Sequence, residues 1–330
     1  MEYRYLGDTG VQISELAFGT MSFGGDADEH TSARMFHRCR DAGINLFDCA
    51  NVYQDGRAEE ILGRLIADCR DDVIVTSKCY FPIGDDVNAR GASRRHIHQA
   101  VEDSLRRLGT DRIDVYFIHR FDGRTPMEET LRALDDLVRA GKVVYLGASN
   151  FAAWQVAKAL GLSALHGLDA FKVIQPMYNL VKRQAEVEIL PMALSEQLGV
   201  LVYSPLGGGL LTGKYAPDRR PDQGRIVEWE MYAERYREER VFEAANRFTT
   251  FARERDYDPV ALAVAWAGSH PAVTAPLIGA RNVNQLEGSL AAAEIDVTDE
   301  LRREISALSE VPPPATDRSE EGTEAGTWIR

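Results

Sequence analysis

The sequence predicts a single (β/α)8 barrel of the α/β class, with an N-terminal β-hairpin and an extra C-terminal helix. Three observations carry this. Short, continuously apolar runs alternate eight times with stretches of helical periodicity, and parallel strands covered on both faces require that continuous apolar character. No composition break or linker divides the chain, which disfavours two doubly wound domains giving the same count. The 330 residues, 45% of them hydrophobic, suffice for one large core, and barrels of this length are commonly one domain. The expected bounds are 1–14 for the hairpin, 15–293 for the barrel and 294–330 for a last helix with a loosely held Pro- and Glu-rich tail.

The elements follow in order. Residues 3–18 alternate around a Gly-Asp-Thr-Gly turn and read as a hairpin leading into the first barrel strand, Leu16–Phe18. A helix over Thr31–Ala42 stops at Gly43, and strand Asn45–Phe47 follows. Next come a helix over Arg57–Asp68, the β-branched strand Val73–Lys78, and a helix over Arg94–Leu108 closed by Gly109. Strand Ile113–His119 precedes the helix Met127–Ala140, closed by Gly141. Strand Val143–Ser149, helix Phe151–Leu160, strand Phe171–Gln175 and a helix over Ala185–Gln197 continue the rhythm. The seventh strand is Val200–Pro205; a long irregular insertion separates it from helices Val241–Arg255 and Pro259–Gly268. Strand Val273–Gly279 and helix Val283–Ala292 complete the barrel, and Asp299–Leu308 is the extra helix.

Bulk properties exclude several classes. The net charge is −13 without a basic block, so nucleic acid is not an expected partner. No apolar run approaches the ~18 residues of a membrane span, and no secretory leader pattern opens the sequence, so a cytoplasmic location is expected. Four scattered cysteines lack metal-ligand spacing and read as buried small hydrophobes, and no metal site is expected. Six lysines stand against 32 arginines, which makes a Lys inside an apolar run conspicuous.

A barrel places its chemistry at the C-terminal ends of its strands. There the polar residues are Asp48, Lys78, His119, Ser149, Asn150, Gln175, Tyr203 and Ser204, with Tyr53 five residues beyond Asp48. Singly, each has an ordinary explanation: a helix cap, a solvated Lys, a satisfied core His. Together, carboxylate, amine, imidazole and phenol meet at three successive strand ends. A phenol with pKa near 10 is a poor acid at neutral pH, and a nearby ammonium lowers that value, so Lys78 is expected to acidify Tyr53. Asp48 would keep Lys78 charged and oriented, and His119 would hydrogen-bond a carbonyl oxygen or polarise the phenol. That set suits hydride addition to a carbonyl.

The runs "GINLFDCANVYQDGRAEEILG", "VIVTSK", "DVYFIHRFD", "GKVVYLGASNF", "QPMYNL", "YSPLGGGLLTGKY" and "LIGARNVNQLEGSL" resemble, in order and spacing from about Tyr5 to Ala292, the aldo-keto reductase superfamily, in its bacterial and channel-β-subunit-like branch. The resemblance implies a catalytic tetrad of Asp48, Tyr53, Lys78 and His119, with Tyr53 the proton donor and NADP(H) the cofactor. It implies that Ser149, Asn150 and Gln175 bind the nicotinamide carboxamide and that Tyr203 stacks on its ring. Ser204 and Leu206, in the loop that includes Gly208, would contact the pyrophosphate, and Gln285 would lie near the adenosine. Gly19, Thr20 and Gly279 fall along the same groove. Loops after the seventh and eighth strands commonly bind phosphate, and free N–H groups with Lys214 would meet the pyrophosphate. Arg281, at a helix start, suits the 2′-phosphate and argues for NADP over NAD. Gly288 and Ser289 stand where many relatives carry an acidic residue and Asn that touch the adenine.

Met21, Phe81, Arg120 and parts of 219–229 are expected to line the pocket for a small aldehyde, sugar or ketoaldehyde; relatives of this branch are monomers or larger assemblies. Two other barrel chemistries fit less well. A Schiff-base aldolase needs an uncharged Lys78, which Asp48 opposes, and a metal-dependent hydrolase needs a second ligand beside His119. A regulatory subunit with slow redox activity, like the channel β-subunits, shares every motif.

Overall fold

The computed structural model describes residues 1–316, so the end of the expected tail lies outside the described residues. Two strands, β1 (Tyr3–Tyr5) and β2 (Gln12–Ser14), form the hairpin, pairing Tyr3 with Ser14 and Tyr5 with Gln12. Eight more follow: β3 (Ala17–Gly19), β4 (Leu46–Asp48), β5 (Ile74–Cys79), β6 (Ile113–Ile118), β7 (Val143–Ser149), β8 (Phe171–Gln175), β9 (Gly199–Val202) and β10 (Ala275–Ile278). They close into a barrel in chain order, all parallel, with β10 pairing β3. This is the (β/α)8 barrel with an N-terminal hairpin.

The helices are α1 (Glu29–Asp41), α2 (Arg57–Ile66), α3 (Arg94–Leu108), α4 (Met127–Arg139), α5 (Ala153–His166), α6 (Ile189–Ser195), α7 (Arg225–Glu228), α8 (Glu230–Arg235), α9 (Glu239–Glu254), α10 (Pro259–Gly268), α11 (Val283–Leu290) and α12 (Asp299–Ser306). Side-chain caps set their starts: Asp28 accepts from Thr31 N–H at 2.8 Å, and Asp258 accepts from Val260 and Ala261 N–H with Pro259 in the first turn. Left-handed Gly109 and Gly167 end α3 and α5.

Two helices depart from expectation. α5 runs six residues past Leu160, through Gly161, to its cap at Gly167. The helix expected over Ala185–Gln197 is a 3₁₀ turn, Gln184–Glu186, followed by the shorter α6. Pro191 is the cause: its ring clashes with the carbonyl four residues back, so the helix restarts with Pro191 in its first turn. The seventh barrel strand also stops at Val202, with Tyr203 reduced to a bridge to Met177.

Two apolar layers hold the barrel. Ala17, Leu46, Val115, Phe117, Val173, Leu201 and Ala275 fill its interior, and Leu6 and Ile13 of the hairpin plug that core from the N-terminal end. The larger layer lies between strands and helices. With the lower end plugged, a ligand reaches the interior polar groups from the C-terminal mouth.

Candidate active site

β4 ends on Asp48, in register with Gly19 of β3 and Thr76 of β5. Lys78, one residue before the end of β5, pairs with Phe117 of β6, and His119 directly follows β6. Tyr53 opens a 3₁₀ turn, Tyr53–Gly56, in which Gln54 and Asp55 both take left-handed φ (50° and 54°) before Gly56 at 93°. The two non-glycine residues of this hand cost stability, whereas Gly56 takes it freely, and the tight turn they make follows directly on Tyr53.

The four expected side chains come together. Lys78 Nζ donates to Asp48 Oδ2 at 2.6 Å and to the Cys49 carbonyl at 2.7 Å. Its side chain is 0% exposed and that of Asp48 3%. Asp48 Oδ1 accepts from Thr76 Oγ1 at 2.5 Å and Gln175 Nε2 at 2.8 Å. Lys78 Nζ lies 5.2 Å from the centre of the Tyr53 ring, and the His119 ring stands 6.1 Å from that ring, near edge-on. Two of the three ammonium hydrogens are therefore bound.

Burial and the charge of Asp48 push the Tyr53 phenol well above its ordinary value, with smaller contributions from Cys49 and the phenols of Tyr232 and Tyr203. This corrects the expected acidification: Lys78 spends its hydrogen bonds on Asp48 and Cys49, and desolvation of the phenolate dominates. Burial, then the charge of Lys78, holds His119 well below the usual imidazole range, so the ring is neutral at pH 7. Its Nδ1 is buried without a partner.

The residues expected to hold a nucleotide lie at or beyond the C-terminal ends of β3, β7, β8, β9 and β10, several already engaged. Ser149 Oγ donates to the Gln175 carbonyl at 3.0 Å; Asn150 Nδ2 donates to the His119 carbonyl at 2.9 Å; Tyr203 donates to Asn150 Oδ1 at 2.7 Å. Burial pushes the Tyr203 phenol up to about 12. Gln175 keeps its Oε1 open. Thr20 is fully buried, and its hydroxyl donates to the Asp48 carbonyl at 3.0 Å, which braces β4. Ser204 has left-handed φ, and Asn179 Nδ2 donates to its carbonyl at 3.0 Å. After Leu206, Gly207, Gly208 and Gly209 take φ of 59°, 66° and 97°. A Cβ on Gly209 would lie 3.3 Å from Lys214 Cε, and one on Gly208 would strike the Tyr232 ring at 2.9 Å.

Arg281, just past Gly279, carries two carboxylates, Asp26 at 2.9 Å and Glu228 at 3.2 Å. The start of α11 is capped internally: Asn282 accepts from Gln285 N–H, and Gln285 Oε1 from Arg281 N–H at 3.1 Å. Ser289 is buried with an unpartnered hydroxyl, and Gly288 faces Val260.

On the substrate side, Phe81 packs edge-on against His119 at 5.0 Å. The half-buried Met21 accepts from Gln54 Nε2 at 3.4 Å through its carbonyl, and Arg120 is exposed with no charged partner among the described residues. Sequence reasoning missed Thr76, Tyr232, Asp26 and Glu228. Thr76 was findable, two residues before Lys78 on the same face of the strand; the others act through loop folding that carries no periodic signal. Among the described residues no group of His, Cys, Asp or Glu could hold a metal.

A buried Lys-Asp pair thus lies beneath a phenol at the C-terminal end of a parallel barrel. The model of the aldo/keto reductase family matches residues 15–310, and the chain belongs to that family. It is 37% identical to the uncharacterized oxidoreductase YrpG of Bacillus subtilis, over 93% of this chain and 96% of that one. It is 35% identical to a probable voltage-gated potassium channel subunit beta of Oryza sativa, over 96% and 99%. It is 31% identical to a versiconal hemiacetal acetate reductase of Aspergillus parasiticus, over 94% and 96%.

Proposed function

We propose that the protein reduces a small aldehyde or ketone to an alcohol with NADPH, reversibly, with Tyr53 as proton donor. The observation that carries this is the fully buried Lys78–Asp48 pair beneath the Tyr53 ring. Burying two charges costs more than their attraction returns unless further hydrogen bonds complete them. Here Cys49, Thr76 and Gln175 do so, all to fix one ammonium under one phenol.

The residues suit a nicotinamide dinucleotide phosphate. Gln175 Oε1 is free to accept from a carboxamide. The Gly207–Gly209 turn leaves no side chain between its backbone and a pyrophosphate, and Lys214 has no carboxylate partner among the described residues. A bound dihydronicotinamide would supply the hydride to the carbonyl carbon. The remaining work falls to this chain. Tyr53, protonated throughout the neutral range, gives its proton to the oxygen as negative charge gathers there. The free N–H of Lys78 stabilises the phenolate left behind. Neutral His119, with its proton on Nε2, orients the carbonyl oxygen, and Phe81 and Tyr232 keep water from it.

Tyr53→Phe is expected to lower kcat by two or more orders of magnitude, the reach of a positioned acid, while NADPH affinity by fluorescence titration stays within about twofold. A variant that keeps most of its rate rules Tyr53 out as the acid. The likeness to a channel β-subunit favours a second reading, a regulatory subunit with slow redox activity. Steady turnover of NADPH with 4-nitrobenzaldehyde or methylglyoxal separates the two.

A further inference from the structure

The segment between β9 and α9 reaches the residues just past β10, and one of its carboxylates sits on a guanidinium where an anion would be bound. Glu228, at the end of α7, accepts through Oε2 from Arg281 Nη2 at 3.2 Å and from the main-chain N–H of Gly224 at 3.0 Å. Lys214 stands beside this site: a Cβ on Gly224 would lie 3.0 Å from its Nζ. Partial burial, then the charge of Arg281, pushes the Lys214 ammonium below its ordinary range; Glu228 opposes the shift and Arg225 adds to it. Arg281 and a backbone amide thus hold one carboxylate, with the Lys214 ammonium close by. A second carboxylate, Asp26, in the loop after β3, holds Nε of the same guanidinium.

A guanidinium N–H together with a main-chain N–H, in a positive surround, is the donor set that proteins offer a phosphate monoester. Such a group carries a charge of about −1.5 to −2 at pH 7. It cannot share Arg281 with an ionised Glu228 without strong repulsion, and the fork of one guanidinium has few donors left once two carboxylates are seated.

We propose that Glu228 is an intramolecular competitor for the Arg281 anion site, so that the 2′-phosphate of a nucleotide binds there only by displacing it. The inference rests on Arg281 receiving that phosphate, and it deepens that reading: the preference for a 2′-phosphorylated cofactor is set by the difference between Arg281 and its resident carboxylate. In the free protein Glu228 keeps the groove covered by α7 and α8, and a nucleotide lacking the 2′-phosphate has nothing with which to evict it.

Isothermal titration with 2′,5′-ADP and with 5′-ADP, which differ by that phosphate alone, tests this without turnover. Glu228→Gln keeps an oxygen for the Gly224 amide and removes the charge. It is expected to tighten 2′,5′-ADP roughly three- to tenfold, the range of a partly exposed charge pair with a main-chain bond, and to move 5′-ADP by less than about twofold. Glu228→Ala, with melting curves of the free proteins as a check on folding, is expected to act in the same direction. An unchanged or weaker 2′,5′-ADP affinity in both variants overturns the proposal, as does an equal gain for the two ligands. Arg281→Ala isolates the underlying reading: if it leaves 2′,5′-ADP affinity unchanged, Arg281 is not the phosphate ligand. If it weakens 2′,5′-ADP while the Glu228 variants do nothing, the competition alone is wrong.

Discussion

At the scale of single residues, the site turns on how three ammonium hydrogens are shared. Lys78 gives two to Asp48 and Cys49 and has one remaining. With Tyr53 held well above its usual pKa of 10.0, the reduction rate is expected to stay level from neutral pH through 10, with the fall from ionisation of the donor displaced to stronger alkali. Oxidation of the alcohol, which needs the phenolate, is expected to rise over the same alkaline range. His119 ionises well below 6.5, so no rate step is expected near that pH; kcat/KM profiles in both directions check this, and a step near 6.5 counts against a neutral His119. The positions of Asp48, Tyr53, Lys78 and His119 were legible because strand periodicity and barrel topology dictate where strand ends meet. The direction of the Tyr53 shift was not, since it depends on how much water the folded loops exclude.

At the scale of elements, close approaches carry the wall beneath the site. Glu59 of α2 is wholly buried, receives Ser77 of β5, and takes Arg107 of α3 at 2.7 Å. The two helices meet where α2 has Gly63; a Cβ there would stand 2.6 Å from the Leu108 carbonyl. Gly63→Ala is expected to force them apart and destabilise the protein by about 1–3 kcal/mol, the usual range for overpacking, read by urea unfolding. Most element boundaries were readable from Gly and capping residues. The expected helix over Ala185–Gln197 is broken because the ring of Pro191 clashes with the preceding turn, an effect that apolar spacing does not report. The insertion after β9 gave no periodic signal, and its two short helices became visible only in the fold.

At the scale of the whole molecule, acid weakens the protein before the carboxylates titrate. His270 is held down to about 4 by burial and by Arg302 and Arg183, with Glu186 opposing, and its Nδ1 accepts from Ala272 N–H at 3.1 Å. Its folded pKa lies below the unfolded value near 6.5, so the unfolded chain takes up the proton first. The stability this gives is full above pH 6.5 and is lost as pH falls toward 4. His270→Asn, which retains an acceptor, is expected to flatten the fall in Tm across that window; an unchanged slope rules His270 out as a contributor. Barrel class and strand order were visible in the sequence because eight buried parallel strands leave eight apolar runs, whereas the contacts fastening α12, such as Arg302 Nη1 donating to the Trp266 carbonyl at 2.7 Å, join distant segments without a local pattern. The hairpin plug has a practical corollary. Met1 lies against Gly43, at the end of the barrel remote from Tyr53. Tethering the protein to a surface by its first residue would therefore point the open mouth into solution, and a sensor or flow reactor made that way should keep its full access to reactants.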